Sequence, residues 1–195
     1  MVVDKLAGEL QIGYLVFYCP ATKGGSLLDR IEGPEMILEA MKEAGINFVT
    51  SLPDYNIAKL LELVEADRDI KHVPLCREEE GIGICSGAYM GGKTTAIIMQ
   101  NGGFLNCCNA LTTTALNFNI PMVLFIYYAG DIGDEGFSTL GSVTEPVLKG
   151  LGIRYYILRK LEEIKPIIKG ATTLAVDSRR PVAVLLTKDV LGTRR

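Results

Sequence analysis

The sequence predicts an α/β fold: a single three-layer domain in which a mainly parallel sheet carries helices on both faces. Three observations lead there. Short, near-continuous apolar runs alternate with segments whose apolar residues recur at three and four positions. No repeat, low-complexity tract or linker divides the chain after its first residues. A length of 195 residues with 48% hydrophobic content is enough for one sizeable core and short for two catalytic domains.

Residues 1 to 33 differ in character from the rest of the chain. They hold a possible strand at Gln11 to Tyr18, a Gly24-Gly25 break and a polar run, and are read as an N-terminal extension: an arm, an added edge strand or a partly disordered segment. The domain proper, 34 to 195, opens at Pro34, which suits the first turn of a helix. Ile37, Leu38, Met41 and Ala44 then repeat at helical spacing, and Gly45 can cap the end. Phe48 to Leu52 reads as a buried strand stopped by Pro53-Asp54, and a helix comes next through Ile57, Leu60, Leu61 and Val64. A short strand at His72 to Leu75 leads into Arg77-Glu78-Glu79-Glu80-Gly81, which opens a helix running to Gly91-Gly92.

Thr94 to Met99 is a β-rich run ending at Asn101-Gly102-Gly103, and the next helix is expected over Leu105 to Phe118. Met122 to Tyr128 is the most apolar strand candidate. A Gly-rich loop, Gly130 to Gly141, precedes a helix from Val143 to Gly150, a strand at Arg154 to Leu158, a helix from Leu161 to Ser178 and a last strand at Val182 to Leu186.

A formal net charge of -3, with cations scattered among acids, provides no basic face and excludes nucleic acid as an expected partner. The five cysteines are odd in number, contain no Cys-x-x-Cys pair and have only His72 with which to share a metal, which fits a reduced cytoplasm. The apolar run Leu10 to Cys19 is too short to span a bilayer, and the Pro20-Ala-Thr-Lys after it is a poor cleavage site, so neither anchor nor signal peptide is expected. Asp131-Ile-Gly-Asp134-Glu135 lacks the fixed-interval oxygens of a calcium loop and reads as a solvated loop or partner contact. The vicinal Cys107-Cys108 pair reads as helix packing, because adjacent cysteines on a helix point apart.

Ligands of open parallel sheets sit at the carboxyl ends of strands, and three candidate segments fall there: Leu52-Pro53-Asp54, Cys76 to Glu79, and Gln100-Asn-Gly-Gly103. Three acids in a first helical turn also suit the helix dipole, which stabilises each by up to about 1 kcal/mol. Against that plain reading, adjacent carboxylates repel. Gly81 and Gly83 also weaken the helix by roughly 1 kcal/mol each relative to Ala. Small residues there let a backbone or a flat ligand approach closely. The Asn101-Gly102-Gly103 turn is first of all a strand-to-helix connection, and without bulky side chains it also permits a ligand to lie against the backbone.

Taken together, Cys76-Arg-Glu-Glu-Glu-Gly-Ile-Gly-Ile-Cys-Ser-Gly-Ala-Tyr89, Gly92-Lys93, Met99-Gln-Asn-Gly-Gly-Phe-Leu-Asn106, Asn109-Ala-Leu111 and Ile120-Pro121-Met122 resemble a known family. It is the pyrimidine-binding domain of thiamine diphosphate enzymes, in its sulfopyruvate decarboxylase alpha-subunit branch, with phosphonopyruvate decarboxylase as a relative. The resemblance runs from about Pro34 to Leu191. It implies that one glutamate hydrogen-bonds N1′ of the cofactor's aminopyrimidine, and the family spacing of ten residues before the helical tyrosine selects Glu79, by reference to Tyr89, with Glu80 as runner-up.

The same resemblance implies that Pro53, Asn101, Gly102 and Gly103 line the pyrimidine pocket and that Asn106 braces the turn or faces the substrate. Relatives usually carry Gln-Asn-Ser-Gly-Leu-Gly-Asn where this chain has Gly102 for the Ser and Leu105 for the second Gly. The family's Gly-Asp-Gly with a downstream Asn-Asn, which holds magnesium and the diphosphate, is absent from the sequence, since no Asn follows Asp134. No metal ligand is therefore assigned to this chain. The implied protein is an alpha subunit that binds the pyrimidine end of thiamine diphosphate. It self-associates and needs a beta subunit carrying the diphosphate and Mg2+ site. The implied reaction is decarboxylation of 3-sulfopyruvate to sulfoacetaldehyde in coenzyme M synthesis. The alternatives are phosphonopyruvate or another 2-oxo acid as substrate, or a non-catalytic binding or regulatory subunit.

Overall fold

A computed structural model describes residues 32–193, so the expected strand at Gln11 to Tyr18 lies outside the described residues. Six strands, β1 (Phe48–Ser51), β2 (Lys71–Pro74), β3 (Thr95–Gln100), β4 (Met122–Tyr127), β5 (Arg154–Leu158) and β6 (Pro181–Leu186), form one sheet in the order β2-β1-β3-β4-β6-β5. Every pairing is parallel. Parallel neighbours require crossover connections, and α2 (Ala58–Ala66), α3 (Glu78–Met90), α4 (Asn101–Asn106), α5 (Cys108–Ala110), α6 (Ser138–Gly150) and α7 (Ile164–Ser178) supply them, while α1 (Glu32–Glu43) leads into β1 and α8 (Lys188–Leu191) follows β6. None of these is long and apolar enough to cross a membrane.

The period of two along the strands sorts the core into two layers. Ala96, Ile98, Val123, Phe125, Val182 and Val184 pack with α1, α2 and α7, while Ile97, Met99, Met122, Leu124, Ile126, Ala183 and Leu185 pack with α3 to α6. Central strands β4 and β6 are buried at every residue, as expected of a sheet covered on both faces. Gly45, at φ +83°, ends the first helix with its N–H donating to the Lys42 carbonyl, as its capping role requires.

Three boundaries move, each for a tertiary reason. α1 begins at Glu32, and Gly33 is buried so tightly against Val190 that a Cβ would stand 2.9 Å from that residue's carbonyl carbon. α6 begins five residues before the expected Val143, because Gly141 packs against the Gly130 carbonyl and the supposed loop glycine is helical. The second helix of that second layer, α4, starts at Asn101 rather than Leu105. Tertiary hydrogen bonds and contacts outweigh the helix cost of Gly102-Gly103 there. That helix then breaks at Cys107 and widens to π geometry over Leu111–Leu116, where the Thr112 and Thr113 hydroxyls donate to the carbonyls of Cys108 and Asn109 and compete with the regular ladder.

Only one of the two glycines expected to permit close approach does so. A Cβ on Gly81 would lie 2.5 Å from Ile97 Cδ1, 2.7 Å from Leu75 Cδ1 and 2.8 Å from Thr50 Oγ1, whereas Gly83 is exposed with nothing within 4 Å. Urea denaturation of the chain should therefore show Gly81→Ala destabilising by about 1–3 kcal/mol, and Gly83→Ala stabilising by up to about 1 kcal/mol. Equal effects at the two positions would contradict this docking of α3.

Candidate functional site

The chain crosses from β1 to β2 on one side of β1 and returns to β3 on the other, so the strand order reverses between β1 and β3. Such a switch point opens a crevice beyond the carboxyl ends of the two strands, the place where open α/β sheets bind ligands. Pro53 and Asp54 border it after β1, the start of α3 after β2, and the start of α4 after β3. The rims are tied together: Gln100 Nε2 donates to Asp54 Oδ2 at 3.3 Å, and Asp54 Oδ1 accepts the Asn56 N–H at 2.8 Å.

The three glutamates separate once folded. Arg77 stands at the N-cap with extended backbone, and its Nη2 lies 2.7 Å from Glu79 Oε1, the Glu79 side chain being 32% exposed. Glu78 lies over the first turn of α4, so close to Gly103 that a Cβ there would come 2.5 Å from Glu78 Cγ and Cδ. Glu80 is exposed. The negative charges of Glu78 and Glu79 add to burial in pushing the Cys107 thiol up to about 12. Sequence does not single out Glu78, because adjacent acids in a first turn are indistinguishable until the neighbouring helix is in place.

Asn101 is fully buried and turned inward: its Nδ2 donates to the Ala129 carbonyl at 2.8 Å and to Thr144 Oγ1 at 2.9 Å, and its Oδ1 is buried without a partner. What the turn offers a ligand is consequently backbone. Gly102 is half-buried, and Gly103 is buried beneath Glu78. Pro53 is exposed at the rim, and Asn106 is exposed at the far end of α4. Thr144, on α6, completes the Asn101 clamp with its hydroxyl donating to the Leu140 carbonyl, a role that carries no sequence signal.

The acidic loop after β4 is more ordered than a solvated loop. Asp131 pairs with Arg159, and Asp134, with a side chain only 5% exposed, accepts from Tyr127 Oη, the Gly130 N–H and Lys188 Nζ. Burial alone would raise the Asp134 pKa, but these donors hold it below the usual carboxylate range. A cleft of about 430 Å³ lies between this loop and Thr187 to Asp189. Among the described residues no group of His, Cys, Asp and Glu could hold a metal ion. The site sets the Glu78 carboxylate over a backbone turn without β-carbons at residues 102 and 103, with Glu79 next to it in the first turn of α3. That arrangement suits a flat ring with hydrogen-bonding edges.

Residues 31–131 match the family described as thiamine pyrophosphate enzyme, N-terminal TPP binding domain. The chain is 37% identical over 154 residues to the sulfopyruvate decarboxylase subunit alpha of Methanococcus maripaludis, covering 78% of this chain and 92% of that one. With the subunit alpha of Methanothermobacter thermautotrophicus the identity is 38% over 159 residues, 80% of this chain and 96% of the relative. It also matches the sulfopyruvate decarboxylase of Methanosarcina acetivorans at 31% identity, over 80% of this chain but 40% of that longer one.

The geometry makes two outcomes measurable. Asn101→Ala leaves the Ala129 carbonyl and Thr144 without their donor and should lower stability by about 1–3 kcal/mol in denaturant titration. In alkylation mapped by mass spectrometry, exposed Cys76 should be labelled in the folded chain at pH 8, while Cys107, and Cys85 whose thiol burial pushes up to about 11, should react only after unfolding.

Proposed function

Because the chain belongs to the thiamine pyrophosphate enzyme family, sharing its N-terminal domain, we propose that it is the alpha subunit of a thiamine diphosphate-dependent sulfopyruvate decarboxylase. The reaction converts 3-sulfopyruvate to sulfoacetaldehyde and CO2, the step that serves coenzyme M synthesis. The observation that carries this reading is the switch-point crevice, where Glu78 lies over a turn without β-carbons at residues 102 and 103 and Glu79 stands in the same first turn of α3. Near-complete coverage of relatives named as that subunit gives it a substrate.

The residues of the crevice fit the aminopyrimidine end of the cofactor. Glu79 would hold N1′ through its carboxylate, keeping a proton at that atom, while Pro53 and the backbone of Asn101 to Gly103 would border the ring. Thiamine diphosphate, when bound, supplies the nucleophilic thiazolium carbon and the electron sink for loss of CO2. Asn101 fixes the turn from behind, and the Arg77 contact keeps the Glu79 carboxylate oriented at the mouth. The Gly-Asp-Gly and Asn-Asn elements of the family do not occur together in this sequence. The diphosphate and Mg2+ are accordingly assigned to a beta subunit. A relative that is a single longer chain, matched over only 40% of its length, is consistent with that division.

The test reconstitutes the chain with its diphosphate-binding partner, Mg2+ and thiamine diphosphate. CO2 release from sulfopyruvate should exceed that from phosphonopyruvate or pyruvate, and Glu79→Gln should lower kcat by about 10²–10⁴-fold. Full activity in Glu79→Gln would remove that residue from the mechanism. Faster turnover of phosphonopyruvate would reassign the substrate, and a complex that binds no cofactor would make the chain a non-catalytic subunit.

A further inference from the structure

At the amino edge of the sheet, opposite the crevice, a cavity of about 410 Å³ is lined by Leu116, Leu151, Gly152, Arg154, Ser178, Arg180, Pro181 and Val182. Two arginines face it and no carboxylate does, in a chain whose formal net charge is -3. Their proximity is fixed by the sheet. Arg154 opens β5 and pairs in register with Val182, and Arg180 lies two residues before Val182. The strand spacing and rise then put the two Cα atoms roughly 8 Å apart, within reach of one shared ligand.

Local structure accounts for only part of this charge. Arg180 Nη1 donates to the Leu116 carbonyl at 2.9 Å, which anchors the side chain at the end of the π-helical segment and leaves its other N–H groups to the cavity. The carbonyl end of α7 beside it favours a cation as well. Arg154 has neither explanation: it is exposed, and among the described residues it forms no ion pair. Two guanidinium groups lining one cavity without a counter-charge repel, and an anion that bridges them removes that repulsion. Guanidinium forks match the paired oxygens of a tetrahedral oxyanion. The volume admits a small molecule carrying one.

We propose that Arg154 and Arg180 form a binding site for the phosphate or sulfonate group of a small organic anion, remote from the cofactor crevice. Ligand arriving here lies across the sheet from the glutamates and contacts the starts of β5 and β6 and the end of α7, so the site is independent of whether Glu79 carries the chemistry.

Isothermal titration of the full chain with inorganic phosphate, and separately with isethionate, at constant ionic strength tests it. Saturable binding of at least one of the two is expected, weakened at least tenfold in the Arg154→Ala/Arg180→Ala double variant and unchanged in Lys59→Ala, an exposed cation on α2. Binding of phosphate alone identifies a phosphoryl ligand, and binding of isethionate alone a sulfonate. Circular dichroism checks that the double variant is folded, and the single variants, both at exposed positions, replace it if it is not. No saturable binding of either anion overturns the proposal, as does undiminished binding in the variants or loss of binding in Lys59→Ala.

Discussion

The amide of Asn101 holds the carboxyl edge of the sheet together. Its nitrogen donates at once to the Ala129 carbonyl beyond β4 and to Thr144 on α6, so two consecutive β-α units, β3-α4 and β4-α6, are joined at one buried point. Each bond contributes about 1 kcal/mol net. The larger effect is geometric: with Asn101 fixed, β3 passes into α4 without a loop, and Gly103 arrives beneath Glu78. The start of α3 is fixed independently, by the fit of Gly81 against Thr50, Leu75 and Ile97. The crevice is the gap between these two constrained helix starts.

Because both constraints are met by small or inward-turned residues, the side chains left at the mouth are Arg77, Glu79 and the Gln100–Asp54 pair. Rigid backbone thus surrounds a polar opening, which is how a site is held in register without its own functional groups having to support the fold. The loop after β4 is held by the same economy of contacts, since one carboxylate, Asp134, gathers Tyr127, Gly130 and Lys188.

The layered α/β architecture was legible because buried parallel strands announce themselves as apolar runs, and β1 to β6 all fall within a residue or two of those runs. The start of α4 was not legible. Asn-Gly-Gly has the local preferences of a turn, and only the buried partners of Asn101 and the Glu78 contact make it helical. The same holds for Gly141, helical because Gly130 comes close to it, and for Asp134, read as solvated and found enclosed. Among the glutamates, the family resemblance could order the candidates but could not show that Glu78 lies over Gly103 and Glu79 pairs with Arg77 while Glu80 is exposed. In each case the deciding contact comes from a residue remote in the chain.

The Arg77–Glu79 pair has a kinetic meaning as well as a geometric one. Arg77 is 68% exposed and Glu79 32%, so the contact is worth about 0–1 kcal/mol. An interaction of that size orients a carboxylate while imposing almost no barrier to its exchange. Arg77 is thus a placeholder: whatever enters the crevice and offers Glu79 a better donor takes over its oxygen at a cost close to thermal energy.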